Sequence, residues 1–251
     1  MPVALPAAAA FGLIIGSFLN VVAHRLPRGE SLATPGSHCP SCDAPVRPYD
    51  NIPVLSWLLL RGRCRDCAQP IGSRYPIVEA LTAALFAAVA VVHAHDTTML
   101  VLGLVLVAFL VPIALIDADL RIIPNKLTLP AAVLGIVLGT ALDPGGEVER
   151  LIAGAVAGGV LALPSLLHPK GMGMGDAKLV AVLGLYLGRG IAPAFFVAFA
   201  VGTLVGVAIM MRKGIHAGRK TAVPFGPFLA IGGVVGILAG DELVQLYLDT
   251  F

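Results

Sequence analysis

Apolar runs of membrane-spanning length follow one another along most of the chain, and no other feature restricts the fold as severely. They cover about 4–24, 76–94, 98–116, 127–142, 149–167, 176–188, 190–211 and 223–247. A helix needs roughly 17–25 mostly apolar residues to cross a hydrocarbon core about 30 Å thick. The runs therefore predict an all-α polytopic membrane protein of about eight transmembrane helices, with 176–188 the shortest. Glycine and proline inside them do not argue against helix, because lipid-embedded helices tolerate both. Composition agrees: 57% of residues are hydrophobic and 13% charged, against about 25% charged in ordinary soluble domains. A soluble fold of this size could not hide so much apolar surface. Few aromatics and no basic stripe argue against a nucleic-acid partner. No basic residue precedes Arg25. The first run thus lacks the positive flank of a signal peptide and is expected to be a retained helix.

Charge predicts orientation. Cytoplasmic loops collect Lys and Arg. With the N-terminus outside, 15 of the 17 basic residues fall on the inner side and only Arg150 and Arg189 on the outer. This split supports both the helix count and the orientation.

Residues 25–75 form the one long polar stretch, and all four cysteines lie in it, as Cys39-Pro-Ser-Cys42 and Cys64-Arg-Asp-Cys67. Two C-x-x-C pairs 21 residues apart have the spacing of a four-cysteine zinc site. Cytoplasmic thiols stay reduced, which disfavours disulfides. Arg63 and Arg65 would support thiolates. Redox chemistry and free thiols are the alternatives. A site closed by four thiolates has no open position, so its expected role is to hold the loop's fold. His93 and His95 are read as solvated residues of a short outer loop.

Two aspartates carry the chemistry. The uncharged run Met99–Ile116 ends at Asp117, followed by Asp119 and Arg121; Asp176 follows Gly171, Gly173 and Gly175 and starts another apolar run. A carboxylate at the end of an apolar span is costly unless it meets water or a partner. Glycines at that spacing let backbone approach closely. Two carboxylates brought together share one proton. The ionised one can take a proton from water while the protonated one polarises a peptide carbonyl, which is general acid–base hydrolysis. The plainer reading is that Asp117 and Asp119 mark a membrane edge and Asp176 caps a helix. Asp119, two residues from Asp117, faces another side of the helix.

Order and number of short motifs now matter. They are Gly16-Ser17-Phe18-Leu19-Asn20 with His24-Arg25-Leu26-Pro27, the two cysteine pairs, Asn51-Ile52-Pro53, Gly72-Ser73-Arg74-Tyr75-Pro76 with Glu79, Ile116-Asp117-Ala118-Asp119, Gly173-Met174-Gly175-Asp176-Ala177-Lys178 and Pro224-Phe225-Gly226-Pro227-Phe228. In these the chain resembles the bacterial prepilin peptidases, or type IV leader peptidases, over nearly its whole length. The G-x-G-D arrangement is also similar to that of presenilin-like intramembrane proteases. The resemblance implies Asp117 and Asp176 as the catalytic pair. It implies cleavage of a basic leader from type IV prepilins or pseudopilins, after a glycine at the cytoplasmic face of the bacterial inner membrane. It further implies S-adenosylmethionine-dependent methylation of the new N-terminal amine, associated with the long loop and with Gly62. No Rossmann-type glycine fingerprint is present, so a methyl-donor site must be built otherwise.

The expected organisation is a first helix (1–24), a cytoplasmic four-cysteine loop domain (25–75) and a seven-helix peptidase domain in the bilayer (76–251). Two other functions fit the same residues: a peptidase without methylation, and a transporter or secretion-channel subunit with a zinc-stabilised loop. Transporter sites lie near the midplane between repeated halves. Here the aspartates sit at one edge and no repeat is visible.

Overall fold

Helices begin and end where the apolar runs meet glycine, proline or charge. The structure, a computed structural model, describes residues 4–167, 173–214 and 223–250. Lys170, Gly171, Met172, Arg219 and Lys220, used in the charge and glycine arguments, lie outside the described residues. The helices are α1 (Ala4–Arg25), α2 (Leu55–Leu59), α3 (Arg74–Val92), α4 (Thr97–Leu120), α5 (Asn125–Leu142), α6 (Glu147–Leu167), α7 (Met174–Leu187), α8 (Ile191–Lys213) and α9 (Gly226–Leu248). Among the described residues there is no strand, only two isolated bridges in the long loop.

Eight of these helices correspond to the eight apolar runs, but among the described residues seven stretches are long and apolar enough to cross a membrane. The difference lies in α7. Its 14 residues span about 21 Å, and a single 3-10 turn, Gly188–Gly190, leads into α8. Gly188 adopts φ 54°, ψ −130°, which breaks the helix there. Together Met174–Lys213 form one stretch of 40 residues.

The chain divides into two compact units, Met1–Val91 and Val92–Phe251. In the first, α1 lies closely on α3. An added Cβ at Gly12 would stand 2.7 Å from Ala83 Cα, and one at Gly16 2.8 Å from Glu79 Cα. Small residues four apart allow this approach between lipid-embedded helices. Phe11 packs on Phe86, and Asn20 Nδ2 donates to the Tyr75 carbonyl at 3.2 Å.

In the second unit, α4 and α7 supply the core: Leu102, Leu106, Ile113, Ile116, Leu179, Leu183 and Tyr186 are fully buried. Helix α6 meets α7 backbone to backbone, with Gly184 against Gly154. Tyr186 Oη donates to the Ala131 carbonyl at 2.8 Å and so ties α7 to α5. At the α5–α6 turn, buried Arg150 bonds Glu147, the Asp143 carboxylate and the Gly139 carbonyl. Arg150 together with backbone N–H groups holds the Asp143 carboxyl below its usual range. The outward residues Val148, Ile152, Val156, Val160 and Leu163 of α6 are exposed and apolar, the surface a multi-pass membrane protein turns to lipid. His93 departs from the solvated reading: its Nε2 lies 2.7 Å from the Ile237 carbonyl of α9. His95 is exposed.

Candidate active site and metal centre

Each aspartate sits at a helix end whose local structure follows from its neighbours. Helix α4 stops because Arg121 turns into the left-handed region (φ 57°), and its N–H caps the Asp117 carbonyl at 2.8 Å. Asp117 therefore occupies the last turn and is 5% exposed, while Asp119 is exposed. Helix α7 starts from Gly173, and Asp176 lies in its first turn with its N–H on the Gly173 carbonyl at 3.1 Å. A carboxylate there also meets the positive end of the helix dipole.

The glycines before Asp176 have separate uses. A Cβ at Gly173 would stand 3.3 Å from Asp176 Oδ2, and one at Gly175 would stand 3.0 Å from Ile123 Cβ. The first leaves room for the carboxylate. The second lets α7 dock on the segment that joins α4 to α5. Lys178 Nζ donates to Asn125 Oδ1 at 3.0 Å, which ties the start of α7 to the start of α5.

These contacts dock the start of α7, with Asp176, on the segment that leads out of α4 just past Asp117. A third element completes the arrangement. The N–H of Gly226, at the start of α9, donates to Asp117 Oδ2 at 2.7 Å. A Cβ at Gly226 would stand 2.7 Å from Oδ2 and 3.0 Å from Asp117 Cβ and Cγ. Sequence periodicity could not reveal this contact, because the partners are 109 residues apart. The only signal was a glycine held between two prolines and two phenylalanines, Pro224 to Phe228.

In the first unit, the cysteine pairs form two matching knuckles. Cys39 N–H donates to the Ala44 carbonyl and Asp43 N–H to the Cys39 carbonyl, both at 2.9 Å. The second pair repeats this with Cys64 on Gln69 at 2.8 Å and Ala68 on Cys64 at 3.0 Å. Asp43 and Ala68 each take positive φ, 60° and 57°, and each knuckle closes with a bridge, His38 to Pro45 and Arg63 to Pro70. All four sulfurs lie within 4.8 Å of one another, and Cys39 Sγ is 3.7 Å from Cys67 Sγ. Tetrahedral Zn–S bonds of about 2.3 Å place sulfurs about 3.8 Å apart, so the cluster has the size of a metal site. Backbone N–H groups of Ser41 and Cys42 bring the Cys39 thiol down to about 6, while the Cys67 sulfur beside it pushes the Cys42 thiol up, so the clustered thiols share their protons as one set.

Around these knuckles the loop is held by ion pairs. Arg65 bonds Asp50 at 2.6 and 2.8 Å and holds its carboxyl below the usual range. Arg47 bonds Asp66 at 3.2 Å. Gly62 has φ 67°, and a Cβ there would stand 2.8 Å from the Trp57 ring. Gly62 thus supports Trp57, whose Nε1 donates to the Ile71 carbonyl at 3.1 Å. Glu79, 8% exposed, accepts the N–H of Val54 at 2.7 Å.

Comparison with known proteins agrees with this division. The profile of the bacterial peptidase A24 N-terminal domain matches residues 10–93. The profile of the type IV leader peptidase family matches residues 104–209, a range that contains both aspartates. A prepilin leader peptidase/N-methyltransferase from Aeromonas hydrophila is 39% identical, covering 96% of this chain and 92% of its own length. The chain belongs to the type IV leader peptidase family. Family relatives from Neisseria gonorrhoeae and Pseudomonas aeruginosa, with the same name, are each 37% identical, over 96% and 95% of this chain and 93% and 91% of their own. No solved structure matches the chain. Family membership sets aside the transporter and channel-subunit reading.

Proposed function

We propose that this protein is a membrane aspartic endopeptidase that cuts the basic leader from type IV prepilins or pseudopilins after a glycine and then N-methylates the new terminus. One observation supports the peptidase half above all: the start of α7, with Asp176, docks through Gly175 on Ile123, just past the buried Asp117 at the end of α4. Like carboxylates so placed hold one proton between them, and its position belongs to the pair. The ionised carboxylate takes a proton from the attacking water, and the protonated one polarises the scissile carbonyl. Oxygen adds to the carbonyl carbon, and the proton passes to the leaving amine as the C–N bond breaks. Gly226 fixes the orientation of the Asp117 carboxylate throughout.

The orientation follows the charge split. The N-terminus is outside, both aspartates face the cytoplasm, and the membrane is the bacterial inner membrane. A pilin's apolar helix can lie in lipid beside the spans, with its basic leader at the surface.

Cys39, Cys42, Cys64 and Cys67 would hold zinc in a closed structural site. Four thiolates would leave no position for substrate, so the metal's contribution would be to order the loop 25–75. S-adenosylmethionine supplies an electrophilic methyl group on a sulfonium. When bound, it would give this methyl group to the new N-terminal amine. Gly62 contributes by keeping the Trp57 ring in place.

Co-expression with a prepilin, followed by mass spectrometry of the product, tests both halves. The expected product lacks its leader and carries one added methyl group. A shortened product without the methyl group would leave the peptidase standing and remove the methyltransferase.

A further inference from the structure

A buried carboxylate without a cation is costly in a protein and calls for a partner. Glu79 is such a group. It is 8% exposed, and among the described residues its one hydrogen bond, through Oε2, comes from Val54 N–H. It lines a cavity of about 830 Å³ within the first unit, a volume suited to a small-molecule ligand. Three other carboxylates line the same cavity. Asp50 and Asp66 are taken by Arg65 and Arg47, and Glu30 is exposed to solvent. Among the described residues, only Glu79 on this wall is both buried and unmatched by a cation. Trp57 and Tyr75 line the cavity as well, and aromatic rings attract cations.

We propose that this cavity is the methyl-donor site and that Glu79 is the counter-charge for the donor's positive charge. The inference rests on the methyltransferase half of the proposed function and adds the residue and the cavity that the half lacks. The donor fits this role better than the acceptor amine. An α-amino group has pKa about 7.7–8.0, and only its neutral form attacks; a buried carboxylate beside it would favour the unreactive ammonium. The donor stays cationic until transfer. It carries two positive groups, the sulfonium and the α-ammonium of its methionyl part. The ammonium keeps its charge through the reaction, so an anchor on it acts equally on ground and transition states. Its loss then raises the donor KM and leaves kcat in place. Gly62 enters the same site indirectly, because it fixes Trp57 on the cavity wall.

The test measures binding to the full chain purified in detergent, by equilibrium dialysis with S-adenosylmethionine, S-adenosylhomocysteine and 5′-methylthioadenosine. The last lacks both positive charges together with the α-carboxylate, and the second lacks only the sulfonium. Wild-type protein is expected to bind methylthioadenosine at least roughly tenfold more weakly than S-adenosylmethionine, the scale of one charged hydrogen bond. Glu79→Gln, which keeps shape and can still accept the Val54 N–H, is expected to lose at least roughly tenfold in S-adenosylmethionine affinity. Glu30→Gln, on the same wall but solvated, is expected to stay within about twofold of wild type. Unchanged prepilin cleavage and metal content show that the variant is folded. If the homocysteine analogue loses affinity as well, Glu79 holds the ammonium; if it does not, Glu79 holds the sulfonium. Three results overturn the proposal: equal wild-type affinity for the charged and uncharged ligands, wild-type donor affinity in Glu79→Gln, or a Glu79→Gln defect confined to kcat. If these come with normal methylation by wild-type protein, only the role of Glu79 falls. Absence of methylation by wild-type protein would remove the methyltransferase reading itself.

Discussion

Replacing Gly226 by alanine adds one methyl group at the most confined point of the aspartate pair. Its Cβ would stand 2.7 Å from Asp117 Oδ2, against 3.4 Å for ordinary van der Waals contact, so something must shift by about 0.7 Å. The obstacle is the short Asp117 side chain, including Cβ and Cγ at 3.0 Å, so rotation of a flexible end cannot relieve it. Either the Asp117 carboxylate turns out of its present position or α9 retreats and lengthens the 2.7 Å bond from the Gly226 N–H. Overpacking of this kind costs about 1–3 kcal/mol. Misplacement of a reacting group by about 1 Å can cost about 100-fold in rate. The expected result is a loss of roughly 10- to 100-fold in prepilin cleavage, with normal membrane insertion. The assay is the time course of leader removal by purified enzyme, read by gel shift at matched protein amounts. Gly206→Ala is the control, since a Cβ there meets nothing within 4 Å. Wild-type cleavage by Gly226→Ala would refute the idea that the start of α9 fixes Asp117.

Replacing Cys39 and Cys42 by serine removes half of the four-thiolate cluster, and bound metal should fall from about one ion per chain to near zero by elemental analysis. A metal-free wild-type protein would end the zinc assignment. Gly62→Ala places a methyl group 2.8 Å from the Trp57 ring at φ 67°, a backbone region that costs other residues about 1–2 kcal/mol; product mass should show cleavage retained and methylation reduced. Arg150→Ala leaves Glu147 buried without its cation, which should cost about 3 kcal/mol or more and lower the melting temperature in detergent, and an unchanged melting temperature would show that the network contributes little.

The spans and the cysteine cluster were legible because each rests on local spacing. Apolar runs fix helices within a few residues, and two C-x-x-C pairs set two tight turns whatever the intervening loop does. Helix α7 shows where length alone misleads. It is buried on most sides, with Leu179, Val180, Leu183 and Tyr186 inside the second unit. A helix surrounded by protein need not match the thickness of lipid, so its 14 residues suffice. The glycines at 173 and 175 were read as places of close approach, and they are, yet each serves a different neighbour. Contacts between distant segments left no periodic trace. Gly226 on Asp117, Val54 on Glu79 and His93 on Ile237 all depend on packing that no single run of sequence encodes. His93, read as solvated, is instead held on a helix carbonyl because the turn before α4 folds against α9.

The central claim is that Asp117 and Asp176 work as one catalytic unit, and the most direct measurement is the mass of a prepilin co-expressed with Asp117→Asn, with Asp176→Asn and with the wild-type chain. The account predicts a leaderless product from wild type and intact precursor from each variant, with all three proteins present in the membrane at equal levels. A leaderless product from either single variant would contradict it.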